Sequence, residues 1–321
     1  MKQLMISLDK NILNRASRAA ERMIEYGKKD ELFIIVPSKE KKELTLSDTV
    51  HVWSTGGCKV RQFCKLKMLG KKLITEQGIA EITTQDPFFT GLVGVCLKKK
   101  TGSKLEVQVH GDFFGGNYYS YFRRWFGRYV VHQADRVRAV SERVRKSIEN
   151  FVSKEKIEVR PIVVDFDSIN KTNINLHQNY PQYKKIFLVL GRFDPVKNIS
   201  WLIDIFPNVV KNQPNALLLI VGDGQEMSNL KSSILNLKLE NNIKIESWTN
   251  DPWGYIKTVD CLLFPSLSES YGLVAMEANA AGTPVIMNDV GVANYELKPS
   301  DKVKILPIND KEKWIEAILN I

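Results

Sequence analysis

The chain has 321 residues, which at about 150 per domain points to two domains. With 44% hydrophobic and 26% charged residues it can build proper cores, and 19 Gly and 12 Pro exclude collagen-like and low-complexity character. The net charge of +10 is uneven: residues 1–171 carry 32 Lys and Arg against 20 Asp and Glu, the remainder 14 against 16, so the first half suits either an anionic partner or a solubilising surface.

The chain reaches Asp9 before an apolar signal core can form, so no secretory signal is expected. No apolar run approaches the roughly 20 residues of a membrane span. Cys58, Cys64, Cys96 and Cys261 stand apart without paired spacing, which argues against zinc and against a disulfide framework. A reduced, cytoplasmic protein is expected.

Apolar runs predict strands over 3–8, 32–36, 50–53, 80–84, 105–110 and 136–140. Amphipathic stretches between them predict helices over 14–27, 59–76, 88–100, 118–133 and 141–152. The polar, Asn-rich run 165–185 lacks periodicity and reads as a linker, set at 166–184 between domains 1–165 and 185–321. The alternation then restarts, with strands over 186–190, 216–221, 243–246, 260–264 and 284–287. Helices are predicted over 198–211, 226–237, 253–258, 271–281 and 311–320. Nearly continuous apolar strands alternating with helices imply parallel sheets covered on both faces. The expected fold is α/β, two Rossmann-like domains facing each other across a cleft.

Open parallel sheets bind ligands beyond the carboxyl ends of their strands. After the strand IFLVL come Gly191, Arg192 and, five residues later, Lys197, two cations in one loop that opens a helix. That suits an anion site, or a solvated loop with Asn198 as helix cap. After CLLF, Glu269 precedes a helix and Glu277 lies two turns into it, bracketing amides around Gly272 and Leu273 that suit a phosphate. Glu277 falls among small apolar residues, where a carboxylate needs a partner; a ribose diol supplies one. Gly222-Asp223-Gly224 reads as a plain turn.

Gly-Arg-x4-Lys, Gly-x-Gly, Pro-Ser-x2-Glu-x7-Glu and Gly-x-Pro-Val, in this order, resemble the C-terminal domain of the retaining glycosyltransferases of family 4, of GT-B architecture. The resemblance covers about residues 184–310 and is looser before them. It implies that Arg192 and Lys197 bind the diphosphate of a UDP- or GDP-sugar donor, with Gly272 and Leu273 offering amides. Glu277 would take the ribose, Glu269 would approach the sugar near its reacting carbon, and residues 246–251 would hold the base. His110, ending the strand LEVQV, looks like the family's cleft histidine, a catalytic role. Segments 84–87 and 140–143 resemble others lining the N-terminal cleft. Three features depart from the family: the first loop, 9–17, lacks Gly, with Arg15 as a substitute charge; Gly291-Val292 replaces a frequent Gly-Gly pair; and the chain ends after one C-terminal helix.

The resemblance implies transfer with retention, the leaving phosphate accepting the acceptor's proton. No Asp-x-Asp pair follows a strand in a cleft loop, since Asp165 and Asp167 open the linker, so no metal and no cofactor is expected. Residues 59–72 and 118–129 interleave Lys and Arg with aromatic and apolar side chains. That pattern suits an anionic membrane at its inner face and a glycan or lipid-linked acceptor in envelope or exopolysaccharide synthesis. It also suits solvated faces of helices packed into the core; nucleic acid is not expected. The alternatives are a non-catalytic nucleotide-sugar or glycan binder of the same fold, or a sugar-nucleotide epimerase.

Overall fold

The computed structural model describes residues 1–111, 120–162, 164, 172 and 174–321, the side chains of residues 18, 59 and 60 apart. The Asp165–Asp167 pair, residues 112–114 after His110, and Tyr118 and Tyr119 lie outside the described residues. The chain divides into two compact units, one of Met1–Val140 with Val144–Arg160, the other of Ser141–Arg143 with Pro161–Ile321.

In the first unit the strands are β1 (Lys2–Ile6), β2 (Glu31–Val36), β3 (Glu43–Ser47), β4 (Val50–Ser54), β5 (Glu81–Thr84), β6 (Lys104–Val109), β7 (Arg136–Ala139) and β8 (Ile157–Val159). Helices α1 (Arg18–Gly27), α2 (Lys59–Gln77), α3 (Phe89–Thr101), α4 (Tyr121–Gln133) and α5 (Glu142–Ile148) join them. The sheet order is β3-β4-β2-β1-β5-β6-β7-β8, parallel except for the antiparallel β3–β4 edge. Successive residues of β1 and β2 feed opposite cores: Leu4, Ile6, Phe33 and Ile35 enter one, Met5, Leu32, Ile34 and Val36 the other. The predicted helix over 14–27 starts later, at Arg18, because Ser17 caps it by accepting from the Ala20 amide at 3.1 Å. The linker-free edge strand β3 was not foreseen, since its residues are half-exposed or exposed and form no apolar run.

The second unit contains the helical turn α6 (Leu176–Asn179), then β9 (Lys185–Leu190), α7 (Ile199–Asn212), β10 (Ala216–Val221), α8 (Met227–Asn236) and β11 (Ile243–Glu246). It continues through α9 (Pro252–Thr258), β12 (Cys261–Phe264), α10 (Leu273–Ala280), β13 (Val285–Met287), β14 (Val303–Ile305) and α11 (Lys311–Leu319). The six strands are parallel in the order β11-β10-β9-β12-β13-β14. All six residues of β10 are buried; Leu218 and Ile220 pack into one core, Leu217, Leu219 and Val221 into the other. Burying each such side chain stabilises by about 2 kcal/mol. The run read as structureless linker therefore includes chain that packs: Leu176 is buried, and Tyr180 and Tyr183 lie against the same core.

Candidate active site

From β9 the chain builds outward through β10 to β11, then returns to lay β12 on the other side of β9. The loops leaving β9 and β12 thus part in opposite directions at the carboxyl end of the sheet's centre, the switch point where parallel sheets open a crevice. Hydrogen bonds stitch these loops together: the Leu267 amide donates to the Val196 carbonyl at 2.8 Å, and Asn198 Nδ2 to the Pro265 carbonyl at 3.3 Å. Asn198 precedes α7 with φ of +57° and no side-chain cap, so its amide is spent on the neighbouring loop instead of on the helix. The third loop joins through Asn288, whose Nδ2 donates to the Ser266 carbonyl at 2.9 Å, and through Val292, whose amide donates to the Tyr271 carbonyl at 2.7 Å.

Gly222-Asp223-Gly224 serves as a buttress. The Phe193 amide donates to the Asp223 carbonyl at 2.8 Å, and a Cβ on Gly224 would stand 2.7 Å from the Phe193 backbone. Only glycine lets the two loops approach this closely.

The structure sets Lys197 directly on Glu269, with Nζ 2.5 Å from Oε1 and the ammonium 5.5 Å from the centre of the Phe264 ring. Both side chains are largely covered. Arg192, in contrast, is 77% exposed and meets only a loose partner in Asp194 at 3.4 Å. Arg192 and Lys197 line one hollow with Gly191, Phe264, Pro265 and Ser266. Next to it Gly272 leads into α10, with a φ of +94° that glycine alone adopts readily. Among the described residues no side chain caps this helix, so its first amides, starting at Leu273, keep their capacity for an acceptor. Glu277 sits one turn in, half-buried and already engaged.

In the segment 246–251, both oxygens of Glu246 are taken by phenols, those of Tyr180 and Tyr255, the latter at 2.5 Å. Burial first, and then this carboxylate, push the Tyr255 phenol up to about 12 and raise that of Tyr180 as well. Trp248, in contrast, is more than half exposed.

His110 belongs to the first unit, immediately past β6, half-buried, with Nε2 2.9 Å from Gln108 Oε1. Burial, and then the guanidinium groups of Arg138 and Arg22, lower its pKa from 6.5 to about 4, against a smaller opposing effect of Asp86. The ring is neutral at pH 7. In the segment 84–87, Asp86 holds the start of α3 by accepting from the Phe88 amide at 2.7 Å and the Thr90 hydroxyl at 2.6 Å. Arg15 donates to the Thr45 carbonyl at 2.8 Å, a tie to the edge strand. Sequence reasoning passed over Glu106 and Gln108, buried polar residues two apart that continue to His110. Their signal was the strict alternation Leu-Glu-Val-Gln-Val-His.

Residues 16–168 match the sequence profile described as Glycosyltransferase Family 4, and residues 171–321 that described as Glycosyl transferases group 1. An uncharacterized glycosyltransferase of Methanocaldococcus jannaschii is 25% identical over 100% of this chain and 89% of that protein. The UDP-Gal:alpha-D-GlcNAc-diphosphoundecaprenol alpha-1,3-galactosyltransferase of Escherichia coli is 28% identical over 54% of this chain and 47% of its own length. The chain spans about half the length of several curated relatives, this one among them. Among solved structures, Anabaena HepE in complex with UDP covers 100% of this chain and 89% of its own at a TM-score of 0.81 and 17% identity, a likeness of fold.

Proposed function

The chain belongs to the family-4 glycosyltransferases, and on that premise we propose that it moves a sugar, with retention, from a UDP- or GDP-sugar to a glycan or lipid-linked acceptor. The observation that carries this reading is the pair of stitched loops at the switch point, which gathers Arg192, the Lys197–Glu269 pair and the open start of α10 at the carboxyl end of the central strands. As the sugar leaves, negative charge builds on the diphosphate. Arg192, Lys197 and the amides at Gly272 and Leu273 stabilise it, and preorganised charge of this kind is a dominant catalytic term. Glu277 holds the ribose, and Glu269 faces the sugar once the diphosphate draws Lys197 away. His110 acts on the sugar side as a neutral ring. In this reading protein cations and helix amides answer the charge of the leaving group, and transfer needs neither metal nor cofactor.

The acceptor side is the basic first unit, working at an anionic membrane surface in envelope or exopolysaccharide synthesis. On α2 the apolar residues Leu66, Phe63 and Leu69 pack into the core and leave a wet basic face. On α4 it is the aromatic residues that face out: Tyr121, Phe122, Trp125, Phe126 and Tyr129 are exposed, while Gly127, Val130 and Val131 fill the buried side. Aromatic rings beside arginines fit a lipid interface. No helix among the described residues is long and apolar enough to cross a membrane.

One experiment tests the whole reading. The purified chain is incubated with a panel of nucleoside-diphosphate sugars and lipid-linked or soluble glycan acceptors, with and without chelator, with and without anionic vesicles. Acceptor-dependent transfer that survives the chelator and rises with vesicles is the expected result. Nucleotide binding without turnover would leave a non-catalytic binder, and epimerised donor without acceptor an epimerase.

A further inference from the structure

The face of the first sheet that carries His110 is polar along a whole row. Register places Thr83 of β5 opposite Glu106 of β6, Glu106 opposite Arg136 of β7, and Gln108 opposite Arg138. Glu106, Gln108 and His110 follow one another at every second position, so they share a face. Glu106 is 3% exposed, and Thr83 and Gln108 are buried with it.

Arg136 Nε stands 2.7 Å and Arg160 Nη1 3.6 Å from Glu106 Oε2. The other oxygen of this carboxylate, Oε1, can only accept, and it receives the Thr83 hydroxyl at 3.1 Å. With its proton committed, Thr83 Oγ1 has lone pairs alone to offer, and it accepts Gln108 Nε2 at 3.0 Å. That bond fixes which way the Gln108 amide lies. Its oxygen, Oε1, therefore turns toward His110 Nε2 at 2.9 Å, and the ring nitrogen must donate.

We propose that Glu106, Thr83 and Gln108 are positioning residues that lock His110 as its Nε2–H tautomer, leaving Nδ1 as the ring's acceptor. The polarity of the chain of bonds is set at its far end, by a carboxylate that cannot donate. A neutral ring with a lone pair at Nδ1 suits a hydroxyl donor on a substrate and does not suit an anion. Of the charged groups around the ring, Arg138 from β7 and Arg22 from α1 act together with burial to keep it uncharged, and Asp86 past β5 opposes them more weakly. The assignment rests on the reading of His110 as a residue that acts in sugar transfer.

The test is long-range proton–nitrogen NMR of the full chain labelled at histidine, at pH 7. The sequence has four histidines, and His110→Ala assigns the signal. The unsubstituted protein is expected to show His110 wholly as Nε2–H. Thr83→Val frees the Gln108 amide to turn over and Gln108→Leu removes the acceptor; each is expected to raise the Nδ1–H share several-fold, while Thr83→Ser, which keeps the hydroxyl, restores the original pattern. A mixture of tautomers in the unsubstituted protein, or a ring state untouched by both variants, overturns the proposal. In the transfer assay Gln108→Leu is expected to lower kcat about tenfold with KM little changed, short of the loss in His110→Ala. If His110→Ala transfers sugar at the normal rate while the NMR result holds, the catalytic role of His110 fails and the tautomer assignment stands.

Discussion

Strand β10 in the second unit is buried at all six positions without a polar residue, and its unit's chemistry begins only past the carboxyl ends of the strands. Strand β6 in the first unit carries Glu106 and Gln108 within the sheet, leading to His110. The second unit holds its proposed reactive groups in loops tied to one another, where a ligand can compete for their partners. The first holds them by a buried chain of hydrogen bonds, where nothing can move without leaving a polar atom unpaired. A buried polar row gives orientation at the cost of fragility.

That contrast breaks most visibly under substitution of one partner. Arg136→Ala leaves the buried Glu106 carboxylate with the Thr83 hydroxyl on one oxygen and, as its cation among the described residues, Arg160 at 3.6 Å from the other. Urea unfolding is expected to show a loss of about 3 kcal/mol. Replacing both partners, Glu106→Leu with Arg136→Met, is expected to recover part of it, because the most deeply buried charge leaves with its partner while Glu81 and Glu158 still lose Arg136. Leu218→Ala in β10 is expected to cost a similar amount, about 3 kcal/mol, through a cavity that no polar exchange repairs. Equal losses in the Arg136 single and the double variant would mean that the row is held by shape and not by pairing.

The second expectation uses acid. His110 titrates at about 4 in the folded chain against 6.5 in the ordinary state, so below pH 6.5 the unfolded chain binds the extra proton first. Stability from this group is therefore fully present above about pH 6.5 and is lost as pH falls through about 4, on the order of 2–3 kcal/mol in all. His110→Gln should flatten that part of the stability profile of the first unit and leave the second unit's profile unaltered. An unchanged slope between pH 6.5 and 4 would show the ring to be freely hydrated.

The proposed site of the second unit was legible because it sits in short loops with uncommon residues: Arg192, Lys197, Glu269 and Gly272 stand out against apolar strands. The parallel sheet was legible from the same contrast. What escaped was pairing in space. Nothing in the spacing of Lys197 and Glu269, 72 residues apart, shows that they touch. Nothing in Asn198 shows that its amide leaves the helix for the Pro265 carbonyl. The row at Glu106 escaped for another reason: an apolar strand was read by its hydrophobic residues, and the polar ones between them were taken as part of the same run. On α4, aromatic side chains leave open whether they face core or solvent, and only the small buried side at Gly127 and Val130 decides it.

The smallest effect bears on the looser of the two arrangements. A double-mutant cycle on Lys197→Met and Glu269→Gln, read by unfolding of the second unit, is expected to give a coupling of about 1 kcal/mol, since the pair is close and largely covered yet still reached by solvent. Arg192→Ala, at a side chain that is 77% exposed, is expected to leave stability nearly unchanged yet to weaken nucleoside-diphosphate binding about tenfold. Repeated with saturating nucleoside diphosphate, the cycle should shrink toward zero, because Lys197 then answers the diphosphate and no longer depends on Glu269. A coupling unaltered by ligand would mean that Lys197 keeps its carboxylate throughout. The anion site would then consist of Arg192 and the first amides of α10 alone, and Glu269 would be a structural partner of Lys197 with no freedom to meet a sugar.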